Sequence, residues 1–210
     1  DDDRGWVKAW NVKSGDEASA ELVARQDVNQ LQFSPDGLLF VSGSGNQRFA
    51  KVEGEESLGS IRVWDSKTNK ALTDEIQLGG AIHRVAFSSD SRLVAAGDNL
   101  GNVRIWQART GQPVSGVLSH TDLVRAVSFS PNGKHLLTCS HDRTAKVWET
   151  SSGKLLATMK HDDKVRAAFY TPDGEAIITI CWDQFAREWP ILPTEMTVPK
   201  ELVEVDNFAF

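Results

Sequence analysis

Val124-Arg125-Ala126-Val127-Ser128-Phe129-Ser130-Pro131-Asn132-Gly133 is the stretch that decides the fold. Apolar and polar side chains alternate along its first part, the period of a strand with one buried face, and Ser-Pro-Asn-Gly closes it with turn chemistry. His135-Leu136-Leu137-Thr138-Cys139 follows, then Thr144-Ala145-Lys146-Val147-Trp148, and Ser151-Ser152-Gly153 turns the chain into Leu155-Leu156-Ala157-Thr158-Met159. Four short strands are therefore expected from about 42 residues.

The same unit recurs on both sides. Phe33-Ser34-Pro35-Asp36-Gly37, Phe87-Ser88-Ser89-Asp90-Ser91 and Tyr170-Thr171-Pro172-Asp173-Gly174 repeat the strand end and turn. Trp10, Trp64, Trp106, Trp148 and Trp189 keep phase, at intervals of 54, 42, 42 and 41. From each turn aromatic to the next of these tryptophans the distance is 31, 19, 19 and 19, so the first unit carries 12 extra residues. Gly15, Asn69, Gly111 and Gly153 each stand five places after a tryptophan, where a hairpin needs positive φ. A fixed period of this length signals a repeat architecture. Units of four antiparallel strands are the blades of a β-propeller. No stretch has a helical period.

Composition narrows the function. The 210 residues carry 23 basic and 29 acidic side chains, a net charge of −6, which disfavours a protein built to neutralise nucleic-acid phosphates. Apolar runs fall far short of the ~18 to 20 residues of a membrane-spanning helix. Two cysteines make no disulfide framework, and no His/Cys cluster has zinc spacing. Cys139 and Cys181 lie 42 apart where the local frames are offset by 41, so they are expected on opposite sheet faces as small packed residues. No cofactor and no metal is expected. Residue 1 is Asp, and no basic-then-apolar leader is visible, so the sequence reads as a trimmed or partial chain, expected in the cytoplasm.

The period, the Phe-Ser-Pro-Asp-Gly type of turn, Val103-Arg104-Ile105-Trp106 and Asp142-Arg143-Thr144-Ala145-Lys146-Val147-Trp148 resemble the WD40 repeat, over nearly the whole chain to about Pro193. The resemblance implies an all-β, incomplete propeller of about four and a half blades of four-stranded antiparallel sheet. It divides the chain into a half blade at 1–24, blades at 25–78, 79–119, 120–160 and 161–193, and a tail at 194–210 able to supply a last outer strand. Such propellers most often have seven blades, about 290 residues, so the remaining blades are expected from the rest of a parent chain, with closure by a partner copy the second choice. Arg109-Thr110-Gly111 after Trp106 is similar to bacterial members, whose propellers often follow a signalling kinase.

His120, Thr138, Asp142 and Trp148, and again His161, Thr179, Asp183 and Trp189, contain the parts of a nucleophile, its base and an orienting acid. In the family these positions form a structural tetrad: indole N–H to hydroxyl, hydroxyl to imidazole, imidazole to carboxylate. The resemblance thus makes them structural, and no catalytic residue is expected. Leu78 and Leu100, and Ala24 and Leu58, replace the His and Asp in earlier units, which are expected to rely on packing and backbone pairing alone.

The family's partner-binding top face maps onto Asn29, His83, Arg125 and Arg166 at the start of the first strands, and onto His141 and Trp182 before the tetrad acids. Trp182 is out of phase with the repeat, and Trp and Arg are over-represented at binding hot spots. Together they suit an acidic or phosphorylated peptide. Against this, Trp182 could pack under the C-terminal segment, and the arginines could pair with Asp122 and Asp163. The 12 extra residues fall within 45–59, where Arg48, Phe49 and Lys51 are candidates for contact or ordinary residues of a surface loop. The expectation is a non-catalytic docking scaffold for a protein or peptide. A propeller enzyme with a channel active site and a purely structural spacer are the alternatives.

Overall fold

The computed structural model describes residues 5–7, 13–16, 22–24, 27–45, 59–191 and 200–204. Among these residues every regular element is a strand. A two-stranded antiparallel pair, β1 (Gly5–Val7) and β2 (Leu22–Ala24), precedes four sheets of four strands each. The first sheet holds β3 (Val28–Phe33), β4 (Leu39–Ser44), β5 (Ser60–Asp65) and β6 (Ile76–Gln77), and the second β7 (Ile82–Phe87), β8 (Leu93–Asp98), β9 (Asn102–Gln107) and β10 (Leu118–Ser119). The third holds β11 (Val124–Phe129), β12 (His135–Ser140), β13 (Thr144–Glu149) and β14 (Leu155–Lys160). The fourth holds β15 (Val165–Tyr170), β16 (Ala176–Cys181), β17 (Phe185–Pro190) and β18 (Lys200–Glu204), so the C-terminal segment supplies an outer strand. Each sheet is an up-and-down antiparallel meander in sequence order, and the architecture is an incomplete β-propeller.

The turn motif is explained by its hydrogen bonds. Ser34 Oγ donates to Asp36 Oδ1 (2.6 Å) and accepts the Leu39 N–H (2.9 Å), while Asp36 Oδ1 also accepts the Leu38 N–H. Ser88 with Asp90, Ser130 with Asn132 and Thr171 with Asp173 repeat the arrangement. The positive φ expected five places after each tryptophan is present at Gly15 (75°), Asn69 (54°), Gly111 (69°) and Gly153 (74°).

Each sheet packs on the next through the same positions. Ile82, Val85 and Phe87 of β7 join Val41, Ile61 and Val63 of the preceding sheet in one buried cluster. Val124, Val127 and Phe129 of β11 join Ala95, Val103 and Ile105, and Val165, Ala168 and Tyr170 of β15 join Leu137, Ala145 and Val147. Gly97 makes this approach feasible: a Cβ there would lie 2.6 Å from Val124 Cγ1. Gly43 occupies the same place against Ile82, at 2.5 Å. In the third sheet Cys139 stands there, fully buried, with Sγ 3.8 Å from the Val165 carbonyl. Cys181 is also buried and points its thiol at the Asp163 carbonyl, and both cysteines are free. Burial pushes the Cys139 thiol up to about 12.

Candidate functional site

The four first strands share one irregularity. Pairing shifts register between Val28 and Gln30, Ile82 and Arg84, Val124 and Ala126, and Val165 and Ala167. The residue left out each time is Asn29, His83, Arg125 or Arg166. A bulge bends the strand locally and re-aims the side chain. The end of the second strand pairs beside each bulge, at Ser44, Asp98, Ser140 and Cys181, so the following turns lie on the same edge. His141 and Trp182 sit in those turns.

The structure sets His83, Arg125, His141 and Trp182 as two contacting pairs, His83 with Arg125 and His141 with Trp182, that act on each other electrostatically. Arg125 Nη1 donates to His83 Nε2 across the junction of the second and third sheets, at 2.8 Å. The rings of His141 and Trp182 lie 5.6 Å apart at 52°, and Lys164 Nζ stands 5.5 Å from the Trp182 ring centre. Trp182 is half exposed (50%). Burial, reinforced by Arg84, Arg125 and His141, lowers the His83 imidazole to about 4. Burial also lowers His141, helped by Lys164 and Arg125 and opposed by Asp122. His141 Nε2 and Arg125 Nε are buried without hydrogen-bond partners.

Not every expected residue is equally available. Asn29 Nδ2 donates to the carbonyls of Gly45 (2.8 Å) and Ile82 (3.1 Å), which ties the first sheet to the second. Arg166 is half buried at the corresponding bulge of the fourth sheet. The acids suggested as partners for the arginines do something else: Asp122 and Asp163 accept the neighbouring Leu123 and Lys164 N–H groups. Trp182 meets the His141 ring and the Lys164 ammonium, while most of the C-terminal segment it was suggested to pack under lies outside the described residues. Arg48, Phe49 and Lys51 lie outside the described residues. Asn99 was missed by the sequence reading. It occupies the register place of His141 and Trp182, with Oδ1 buried and unpartnered, and that shared place is the signal that could have found it.

The triad-like groups are buried below this edge. Trp148 Nε1 donates to Thr138 Oγ1 (2.9 Å), Thr138 Oγ1 meets His120 Nε2 (2.7 Å), and His120 Nδ1 donates to Asp142 Oδ2 (2.8 Å). Thr144 Oγ1 donates to Asp142 Oδ1 (2.6 Å). Burial would raise the Asp142 carboxyl, but bonds from His120 and Thr144 outweigh it and hold it well below the usual range. Burial dominates at His120 and lowers it, against the pull of Asp142. Thr138 is 0% exposed, so its hydroxyl is a poor candidate nucleophile.

The second group departs from the expected chain of bonds. Trp189 Nε1 donates to Thr179 Oγ1 (2.9 Å), and Thr179 Oγ1 meets His161 Nε2 (2.8 Å). Asp183 Oδ2, however, accepts Arg187 Nη1 at 2.7 Å, and His161 Nδ1 is buried without a partner. The reason lies one strand over. Phe185 stands where Thr144 bridges carboxylate and imidazole, and Arg187 stands where Lys146 turns away to the Ser119 carbonyl. A guanidinium beside a carboxylate forms the stronger, charge-assisted bond.

The first two sheets are not held by packing and backbone pairing alone. Trp64 Nε1 donates to Ser42 Oγ (3.0 Å), and Ser44 Oγ contacts Ser60 Oγ (3.0 Å). In the second sheet fully buried Asp98 takes over the polar role two residues before Leu100. Its Oδ2 accepts Gly80 N–H and Asn102 Nδ2, and its Oδ1 accepts Leu100 and Asn102 N–H. Asp98 lies at the register place of Ser44 and Ser140, which is why a search at the tetrad positions overlooks it.

Among the described residues no cluster of three or more His, Cys, Asp and Glu could hold a metal ion. No helix among them is long and apolar enough to cross a membrane.

A family model described as "WD domain, G-beta repeat" matches residues 20–52, 75–107 and 111–149, half of the chain. No curated protein matches. Among solved structures, the chain is similar to the crystal structure of the computationally designed Ika4 protein, with a TM-score of 0.64 and 24% identity. That likeness covers 78% of this chain and 91% of the designed one, and it concerns the fold alone.

Proposed function

Because the chain belongs to the WD40 repeat family, whose propellers commonly serve as interaction scaffolds, we propose that it is a non-catalytic docking domain for a protein or peptide. The docking surface is the edge carrying His83, Arg125, His141, Trp182 and Arg166. The observation that carries this reading is the half-exposed Trp182, set against His141 and Lys164 beside the Arg125–His83 pair. A half-exposed indole with one ammonium against its face and a guanidinium on the same edge offers an apolar anchor and charge-assisted donors together.

The partner segment is acidic or phosphorylated. Arg125, Lys164 and Arg166 stand at or beside the first-strand bulges of a chain whose net charge is −6, with Asp122 and Asp163 next to them, and the reading rests on the donors these cations offer an anion. A cytoplasmic signalling protein, with further blades in the same parent chain and a kinase domain upstream, is the setting we favour. Nucleic acid is not the partner we favour, given the net charge.

Affinity capture with the parent protein tests the reading. The comparison is wild type against a Trp182→Ala, Arg125→Glu double variant, both first checked for folding by circular dichroism. Loss of a specific co-purifying protein from the variant is expected, and that protein's binding segment is expected to be acidic or phosphorylated. An unchanged set of partners would move docking away from this edge, and an empty set with wild type would favour a structural spacer.

A further inference from the structure

We propose that docking of an anionic group on this edge is coupled to proton uptake by His83 and His141, so that the partner is held more tightly in mildly acidic solution. This rests on the docking reading above and adds a form of regulation to it. The free site keeps both imidazoles neutral by its construction. His83 Nε2 accepts a hydrogen bond from Arg125 Nη1 at 2.8 Å, and a protonated imidazole has no lone pair for that bond. A guanidinium donates and cannot reverse its role, so protonating His83 turns the contact into a repulsion between cations.

The surroundings of each imidazole act in the same direction. His83 faces Arg84 from its own strand, Arg125 from β11 and His141 from the β12–β13 turn. His141 faces Lys164 from the segment before β15 and Arg125 from β11; Asp122, before β11, is the one acid among the described residues that acts on it. The Trp182 ring covers it from the β16–β17 turn. Among the described residues, cations therefore outnumber acids around both rings. An anion bound among Arg125, Lys164 and Trp182 cancels their field and draws the Arg125 donors onto itself. His83 Nε2 is then released to take a proton, and His141 Nε2, unpartnered in the free protein, becomes a donor to the anion.

Linkage sets the sign. Both imidazoles titrate below their ordinary value of ~6.5 in the free protein, and a bound anion raises them. Binding therefore takes up protons wherever the pH lies between the free and the bound values. Affinity rises as pH falls through that window, by at most about tenfold per pH unit for each proton taken up.

The test uses inorganic sulfate, whose charge is constant in this range, with the Trp182 indole N–H followed by heteronuclear NMR from pH 7.5 to 6.0. At least about a fivefold gain in sulfate affinity is expected between those limits, within the linkage ceiling. A His83→Gln, His141→Gln variant, shown to be folded by its amide spectrum, is expected to lose the pH dependence. Sulfate binding with equal affinity at every pH would overturn the coupling and leave the docking reading standing. No sulfate binding at any pH would overturn both, and a pH dependence that survives in the double variant would overturn the assignment to these two histidines.

Discussion

Asp183 is held by Arg187, four residues further along the same hairpin, at 2.7 Å. One blade earlier Asp142 lies 2.8 Å from the His120 imidazole. The two polar groups share a hydroxyl, an indole and an imidazole, but only the earlier one closes. Closure requires a residue at the start of the third strand that bridges acid and imidazole, and a basic residue two places on that leaves the acid alone. Thr144 and Lys146 meet both conditions, whereas Phe185 and Arg187 meet neither.

Truncating the two imidazoles should therefore cost different amounts. His120→Ala breaks bonds on both ring nitrogens and leaves Asp142 facing an emptied site, whereas His161→Ala breaks one. Urea denaturation is expected to show His120→Ala the more destabilising by about 1 kcal/mol, the net value of one buried hydrogen bond. Equal losses would mean that the carboxylate contact contributes nothing to the earlier blade.

Grafting the missing partners should close the second group. A Phe185→Thr, Arg187→Lys variant gives Asp183 a bridging hydroxyl and removes its competitor. The His161 Nδ1 proton, now buried and unpartnered, then gains an acceptor. A gain of about 1 kcal/mol is expected by the same denaturation measurement, with the His161 ring N–H becoming visible by NMR at low temperature. Loss of stability without a new ring N–H signal would show that the Arg187–Asp183 pair is the better solution for this blade.

Gly97→Ala should weaken the junction between the second and third sheets. The added methyl would sit 2.6 Å from Val124 Cγ1 and 3.0 Å from Val127 Cγ2, inside a packed layer. A loss of about 1 to 3 kcal/mol is expected from overpacking. Val124→Ala in the Gly97→Ala background should recover part of it. Strict additivity of the two losses would show that the clash is relieved elsewhere.

Stability should fall on mild acidification. His83, His120, His141 and His161 all titrate below the ordinary imidazole value in the folded chain, chiefly through burial. The unfolded chain therefore binds more protons below about pH 6.5. The stability these neutral histidines confer is present above that value and is lost as pH falls toward the folded values, about 4 for His83. Asp142 acts lower: its depressed carboxyl stabilises above ~3.9 and loses that contribution as pH falls further. Thermal unfolding is expected at a lower temperature at pH 5 than at pH 7.5, and a flat profile between them would contradict the buried, neutral state of these rings.

Phase and turn chemistry made the blades legible from residues alone. Recurring tryptophans, a hydroxyl followed two places later by Asp or Asn, and Gly or Asn five places after the indole are local requirements of strands and turns. They carry over to three dimensions without outside help, as the Ser34–Asp36 and Ser130–Asn132 bonds show. Alternating apolar residues likewise foretold which side chains fill the layers between sheets, because a strand has only two faces.

What partners a polar group chooses was decided by tertiary structure. Asp183 and Asp142 occupy equivalent places in sequence, and their partners differ because residues from a neighbouring strand compete for each carboxylate. Asp98 took the polar role in the second blade from a place outside the repeat motif, as its bond from Gly80 depends on a chain segment 18 residues away. The bulges at Asn29, His83, Arg125 and Arg166 arise from pairing between strands, and no period within a strand announces them. Local order follows from each residue's own backbone and side chain, but hydrogen-bond partners and pKa values depend on which groups the folded chain brings within about 3 Å.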